Sequence, residues 1–323
     1  CNVVIGDVQD KTLLKSLMTD INVVYHLAAE TGTGQSMYEL ARYRNTNIVG
    51  TECLLECVDS VGSDVQRLVL ASSRSVYGEG KYLCQEHGEF YPSGRDQTLL
   101  DLGEFDIRCE RCNAIAKFLP TDEMSPRIPK SIYAATKSYQ EDLFRIFHNI
   151  NLKKTTIFRF QNVYGPGQSL SNPYTGIISI FYNLIKSQQE INIFEDGGPT
   201  RDFIYIDDVV YYLSTLPQSD RNGLTTVNLG TGIASSVLDV LKCLENGLEM
   251  KAKYSISSST RSGDIRNNIA DLNQLNQMYG DYSFKNLENG INQFIAWANR
   301  HFSINQSQYL RSLDELRSRN LLK

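Results

Sequence analysis

The chain has 323 residues, 41% of them apolar, and a net charge of −5 with acids and bases mixed along its length. The apolar content suffices for a sizeable core, and nothing resembles the basic stripe of a nucleic-acid binder. No apolar run reaches the roughly 18–20 residues that span a bilayer, and no charged segment leads into an apolar one at the N-terminus, so neither a secreted nor a membrane protein is expected.

Strand and helix signals alternate through the first half. "INVVYHLAA" (21–29) is a continuous run with β-branched residues, which predicts a strand buried on both faces. "RNTNIVGTECLLECVDSVG" (44–62) has apolar residues at helical spacing and stops at glycine. "RLVLASS" (67–73) predicts a second buried strand, "IYAATKSYQEDLFRIFHNI" (132–150) a long amphipathic helix, and "KTTIFRF" (154–160) a further strand. This rhythm predicts an α/β, Rossmann-like, doubly wound parallel sheet that binds ligands at the carboxyl ends of its strands. From about residue 165 Gly, Pro, Asn and Ser become more frequent and the elements shorter. Helices are predicted over 172–189 and 235–248, short strands over 191–196 and 225–230, and a terminal helix after Trp297. A smaller α/β lobe interleaved with the sheet is expected, dividing the chain into 1–165 and 166–323.

Two residues of the long helix carry chemistry. Tyr133 and Lys137 stand at i and i+4, so their side chains share a face. A neighbouring ammonium favours the phenolate, and bringing a phenol from ~10 to ~7 takes about 4 kcal/mol, so a positive cofactor ring has to help. Ser73 closes the strand 67–73, where a hydroxyl can bond a substrate oxygen. Tyr-x-x-x-Lys alone is a common accident of amphipathic helices. Its company is more specific: "GDVQD" (6–10), "YHLAAE" (25–30), "NTNIVGT" (45–51), "LASSRSVYG" (70–78), "RFQNVYGPGQ" (159–168), "RDFIYIDDV" (201–209), "NLGTG" (228–232) and "RSGDIR" (261–266).

In this order, over almost the whole chain, these motifs resemble the extended short-chain dehydrogenase/reductase family, the NAD-dependent sugar-nucleotide epimerases and dehydratases. The resemblance implies Tyr133 as general acid/base, Lys137 holding the nicotinamide ribose and tuning Tyr133, and Ser73 as the hydroxyl partner. It places Asp7 and Val8 at the adenine of NAD. Leu27, Ala28 and Ala29 then line the pyrophosphate and ribose, with Asn47 nearby. Phe160 and Asn162 match positions near the nicotinamide and the substrate. Arg201 and Arg261 match arginines that hold a sugar-nucleotide diphosphate, a role suited to a guanidinium fork, with Asp264 in the same motif and Arg74 on the substrate side. Residues 1–165 would then bind NAD, and 166–323 mainly the nucleotide sugar.

The family's 4,6-dehydratases carry an Asp-Glu pair after the hydroxyl residue, and its decarboxylating members a Glu at the second of those positions. Here Arg74 and Ser75 stand there. What remains is oxidation and re-reduction at one carbon, a 4-epimerisation. "HLAAETGTGQSMYEL" (26–40) and the long segment before Tyr133 are most similar to the dTDP-L-rhamnose 4-epimerase type, beside the UDP-glucose 4-epimerase type. The alternatives are a catalytically silent relative that binds a nucleotide or a partner protein, and a dehydratase or reductase of the same family. Retention of Ser73, Tyr133 and Lys137 favours the enzyme. The family's habit of pairing through helices such as 132–150 implies a homodimer.

One departure concerns the start of the chain. A dinucleotide-binding fold opens with a strand, a glycine-rich turn and a helix. "CNVVIGDVQD" matches the family only after that unit, and "GTGQS" (32–36) follows a later strand. About two βα units, roughly 50–60 residues, are expected to precede Cys1 in the intact protein. Without the central strand they supply, its neighbours should expose apolar edges.

A second departure is an insert. Tyr77 and Tyr133 are 56 positions apart, far more than the family usually places between them, and the surplus lies in 80–121. It contains Cys84-x-x-His87 and Cys109-x-x-Cys112, a spacing that predicts a four-coordinate zinc. So short an insert has little core of its own and gains from a metal staple. Thiolates and an imidazole in a closed set suit zinc and leave no open position, so the metal is expected to order a flap outside the hydride chemistry. The odd total of seven cysteines argues against a disulfide framework and for a reducing cytoplasm.

Overall fold

A computed structural model describes residues 1–62, 64–172, 174, 176–216, 223–301 and 307–322, with side chains in the last helix from 312 onward. Positions 173 and 175 of the helix predicted over 172–189, and 302–306 of the tail, lie outside the described residues. The chain divides into two compact units, the first comprising Cys1–Val76, Pro129–Phe160 and Gln218–Val227, the second Tyr77–Ile128, Gln161–Pro217 and Asn228–Lys323.

The first unit is built on a sheet ordered Val23–His26, Arg67–Ser73, Lys154–Phe160, Leu224–Leu229. The first three strands are parallel, with Val69 opposite both Tyr25 and Thr156. Arg67–Ser73 is buried from Leu68 onward, as its unbroken apolar run requires. Leu54, Leu55 and Val58 of the helix Gly50–Val61, with Phe144 of the helix Ile132–Asn151, cluster with Leu68, Leu70 and Ile157. The long helix starts where the Ser131 side chain accepts from Ala134 N, and it ends at Leu152 in the left-handed region.

Two elements differ from the sequence reading. Val23–His26 buries only His26, while Val23, Tyr25 and Leu27 are exposed. It is an edge strand among the described residues, so it lacks the cover of a strand paired on both sides. Residues 1–6 form no strand, and Val3 and Ile5 are exposed. The helix predicted over 44–62 opens instead as a π-helix, Arg44–Val49, before Gly50–Val61. The widened turn carries Asn47, whose carbonyl accepts from Thr51 Oγ1 at 2.6 Å. Gly50 is needed there, because a Cβ would sit 2.4 Å from Val8 Cγ1.

The second unit packs helices Ile177–Lys186, Val237–Leu248 and Leu287–His301 around Tyr182, Leu244 and Phe294. Thr200–Tyr205 is paired by Asn162–Tyr164, Asn267–Asn268 and Ala234–Ser236. The insert forms a three-stranded antiparallel sheet, Gly88–Phe90, Lys81–Cys84, Lys117–Leu119. The two compact units differ from the expected division into 1–165 and 166–323. The insert belongs to the second unit, tied in by the Thr121–Ala270 bridge and by ion pairs from Arg95 and Asp106. No helix among the described residues is long and apolar enough to cross a membrane.

Candidate active site

The first unit brings Ser73, Arg74, Tyr133 and Lys137 together. Ser73 ends its strand, and its Oγ accepts from the amide (3.2 Å) and hydroxyl (3.0 Å) of Ser75. The Ser73 side chain also lies within hydrogen-bonding reach of the Tyr133 phenol. Burial pushes the Tyr133 phenol above its ordinary value, and the Ser73 hydrogen bond and the Arg74 charge pull it back. Lys137 is buried, and Nζ donates to the carbonyl of Ala71 at 2.8 Å. Burial lowers this ammonium to about 7, against the opposing pull of Glu141 one turn on. Lys137, expected to tune Tyr133, lies one turn on in the same helix, and the Arg74 charge also lowers the phenol.

The residues expected along a cofactor lie in the same unit. Leu27 and Ala28 are exposed and Ala29 half-buried, just past the carboxyl end of Val23–His26. Asp7 closes a turn by accepting from Gln9 N at 2.8 Å, and Val8 packs against Gly50. Phe160 stands opposite Ser73 in the strand register and stacks on Phe158. Asn47 is fully buried. Its side chain accepts from Glu30 N (2.8 Å) and donates to Glu30 O (3.1 Å) and Thr136 Oγ1 (2.9 Å), so it fixes the loop after Ala29 and leaves no amide hydrogen over.

In the second unit Arg201 donates to the carbonyls of Thr200, Ile265 and Arg266 at 2.7–3.1 Å. It therefore shapes the 261–266 loop. Arg261 lies over the Phe194 ring at 4.1 Å, and its Nε has no partner among the described residues. Asp264 N closes a turn onto Arg261 O at 3.1 Å, and Asn162 is half-buried opposite Phe203.

The insert gathers Cys84, His87, Cys109 and Cys112, with all four ligand atoms within 4.8 Å of one another. Cys84 Sγ is 3.5 Å from Cys112 Sγ, and His87 Nδ1 is 3.6 Å from both Cys84 Sγ and Cys109 Sγ. A tetrahedron with metal–ligand bonds of about 2.0–2.3 Å has edges of about 3.3–3.8 Å, a range these three separations fall in, within a cluster spanning up to 4.8 Å.

Several positions that shape the site escaped the sequence reading. Glu141 and Arg159 form a buried bidentate pair (2.9 and 2.8 Å), and Ser72 donates to Glu141 at 2.6 Å. His26 contacts Thr51 Oγ1 at 2.8 Å and stacks on Phe144, and burial with the Lys137 charge lowers it to about 3. Ser36 Oγ accepts from Tyr133 N at 3.0 Å. The available signal was a charge inside an apolar pattern, Arg159 within "KTTIFRF", and Glu141 four residues after Lys137.

The parallel sheet, the carboxyl-end hydroxyl and the Tyr-x-x-x-Lys helix define a dinucleotide-dependent α/β enzyme architecture. The profile of the NAD dependent epimerase/dehydratase family matches residues 113–230, and that of GDP-mannose 4,6 dehydratase matches 1–94. A dTDP-L-rhamnose 4-epimerase of Burkholderia thailandensis is 35% identical over 298 residues, covering 91% of this chain and 80% of that protein. The chain belongs to the NAD-dependent epimerase/dehydratase family, the extended short-chain dehydrogenase/reductases. UDP-glucuronate 4-epimerase 4 of Arabidopsis thaliana is 30% identical over 93% of the chain, which spans only 64% of that relative. Among solved structures, the UDP-glucose 4-epimerase of Thermotoga maritima with UDP-glucose aligns at TM-score 0.73 and 25% identity, covering 92% of this chain and 84% of that one. MoeE5 in complex with UDP-glucuronic acid and NAD aligns at TM-score 0.73 and 28% identity, covering 93% and 86%.

Proposed function

We propose that the chain is an NAD-dependent 4-epimerase of a nucleotide-diphosphate sugar. The observation that carries this reading is a single site holding Ser73, Tyr133 and Lys137 whose next two positions, Arg74 and Ser75, offer no carboxylate. Elimination of water needs an acid and a base at adjacent carbons, and this site lacks that pair. Tyr133 takes the proton of the 4-hydroxyl, while Ser73 Oγ donates to the same oxygen as it becomes a carbonyl. NAD, when bound, would supply the hydride acceptor and donor that oxidation and re-reduction at C4 require. Tyr133 then gives the proton back. The small side chains of Ala28 and Ala29 past a strand's carboxyl end fit a dinucleotide, as such sheets use that end for ligands. Asp7, Val8, Leu27 and Phe160 complete that side, Lys137 holds the ribose, and Asn47 sets the loop. Asn162, Arg201, Arg261 and Asp264 serve the nucleotide sugar.

The Burkholderia relative and the 26–40 segment support dTDP-L-rhamnose as the first substrate to try. The test is turnover of dTDP-L-rhamnose and of UDP-sugars by the full-length protein, with product stereochemistry read by NMR. Tyr133→Phe should lower turnover by at least ~100-fold with NAD content and melting unchanged. Normal turnover in that variant, or a loss of stability in place of rate, would remove Tyr133 from the mechanism.

The Cys84, His87, Cys109 and Cys112 set is read here as a structural zinc site. Three separations of tetrahedral-edge length and four protein ligands, which leave no open position, support this. Elemental analysis should find about one zinc per chain, lost in Cys109→Ser with Cys112→Ser. Zinc-free wild-type protein would refute the reading. Homodimerisation is supported by Tyr139, Ile146 and Ile150, exposed at i, i+7 and i+11 along one face of Ile132–Asn151. The reduced thiols that such a cage requires support a cytoplasmic setting.

A further inference from the structure

We propose that Arg95 and the Cys/His knuckle act as one positioning element for the 261–266 loop, so that the insert sets affinity for the nucleotide diphosphate without touching the chemistry. The inference rests on reading Arg261 and Asp264 as sugar-nucleotide residues.

Arg95 is buried in the second unit, and its guanidinium reaches three acceptors: Glu195 Oε1 at 2.6 Å, the carbonyl of Asp264 at 3.0 Å, and Glu79 Oε1 at 3.4 Å. Glu79 Oε2 accepts from Arg266 N at 2.8 Å. The loop backbone is therefore gripped at Asp264 by the insert and at Arg266 by the turn that leads into it. Asp106, also of the insert, accepts from Arg266 Nε at 3.1 Å, and Phe105 lies beneath that guanidinium. The other arms of Arg266 are spent on Asp196 and Glu195.

The knuckle fixes where these insert residues stand. Cys109 N donates to Ala114 O at 2.8 Å and Ala116 N to Ile107 O at 2.9 Å, which makes 107–116 a hairpin directly after Asp106. The Cys/His set clasps that hairpin to the end of Lys81–Cys84, and Ile107, Ala116 and Tyr82 share a small core below it. Such a core is too small to hold a hairpin in register unaided. Loosening the clasp thus frees Asp106. Removing Arg95 leaves Glu79 and Glu195 buried with one cation fewer, and the loop moves to relieve them.

The experiment is calorimetric titration of dTDP and UDP into wild type, Arg95→Ala, Arg95→Lys and the Cys109→Ser, Cys112→Ser pair. Arg95→Ala should weaken Kd for the preferred nucleotide by about tenfold, the scale of one lost charge-assisted hydrogen bond, and raise KM alike with kcat kept within about twofold. Arg95→Lys should recover part of the loss. The cysteine pair should weaken Kd in the same direction, and combining it with Arg95→Ala should add little, because both act through one loop. If Arg95→Ala fails to fold, Asp106→Asn, at a more exposed position, should give a smaller shift of the same sign. Unchanged Kd in the arginine and aspartate variants overturns the inference, as does a fall in kcat and melting temperature with KM unmoved. Wild type that binds neither nucleotide overturns the sugar-nucleotide reading itself, and the inference with it.

Discussion

Replacing Lys137 by methionine should make the protein more stable in mildly acidic solution, and the gain should fade as pH rises. Lys137 is 3% exposed, and its ammonium is lowered from 10.5 to about 7, chiefly by burial. At ~1.4 kcal/mol per pH unit, that gap is a cost of roughly 5 kcal/mol, an upper magnitude for a buried group. The unfolded chain holds this proton more tightly than the folded one. Unfolding therefore takes up a proton between about pH 7 and 10.5, and the wild type gains stability across that window while bearing the full cost below it. From pH 6 to pH 9 the recovery is roughly 2–3 kcal/mol. Methionine has a similar length and no charge, so it shows none of this slope. It loses the bond to Ala71 O, which offsets about 1 kcal/mol of the gain. His26, held near 3 mainly by its own burial, stays neutral throughout and does not confuse the comparison. The measurement is urea unfolding of both proteins at pH 6, 7.5 and 9. A difference between them that is flat in pH would refute the account.

Two further predictions concern the same unit. Arg74→Gln removes a charge that lowers the Tyr133 phenol, so the limb of the kcat/KM profile that reports Tyr133 deprotonation should move to higher pH and Arg74→Lys should return it; superimposable profiles would assign Arg74 elsewhere. Glu141→Gln or Arg159→Met alone should cost about 3–5 kcal/mol by urea unfolding, because each strands a buried charge. Glu141→Leu with Arg159→Met should cost less than either, and an additive double variant would contradict the pairing.

The strands 67–73 and 154–160 and the helix after Ser131 were legible within a residue or so, because each is a complete buried run or a capped amphipathic stripe. Val23–His26 was legible as a strand but not as an edge, since an apolar run reports what a strand could bury and not which neighbours it has. The insert was legible by its ligand spacing, and the structure does gather those four residues. Its membership of the second unit was not, because that depends on Arg95 and Asp106 meeting residues 100 to 169 positions away. Charged residues at surface-like spacing carry no mark of such partners. The π-helix was equally hidden, because its sequence keeps helical periodicity.

Several polar groups of the first unit end on main-chain atoms around Tyr133 and Lys137. Tyr133 sits in the first turn of its helix, where amide groups lack intrahelical acceptors. Ser36 Oγ takes its amide proton, and Thr136 Oγ1 donates to its carbonyl at 2.8 Å. Thr136 is in turn held by Asn47, whose amide also fixes the loop past Ala29. Lys137 grips the strand that ends at Ser73 through the carbonyl of Ala71. Each of these bonds costs burial of a polar group, and an apolar packing of the same volume would be as stable or more so. What the polar arrangement adds is direction. A hydrogen bond fixes a backbone atom to a few tenths of an ångström, where a methyl contact tolerates sliding. Proton transfer, the role proposed for Tyr133, depends on that placement more steeply than stability does.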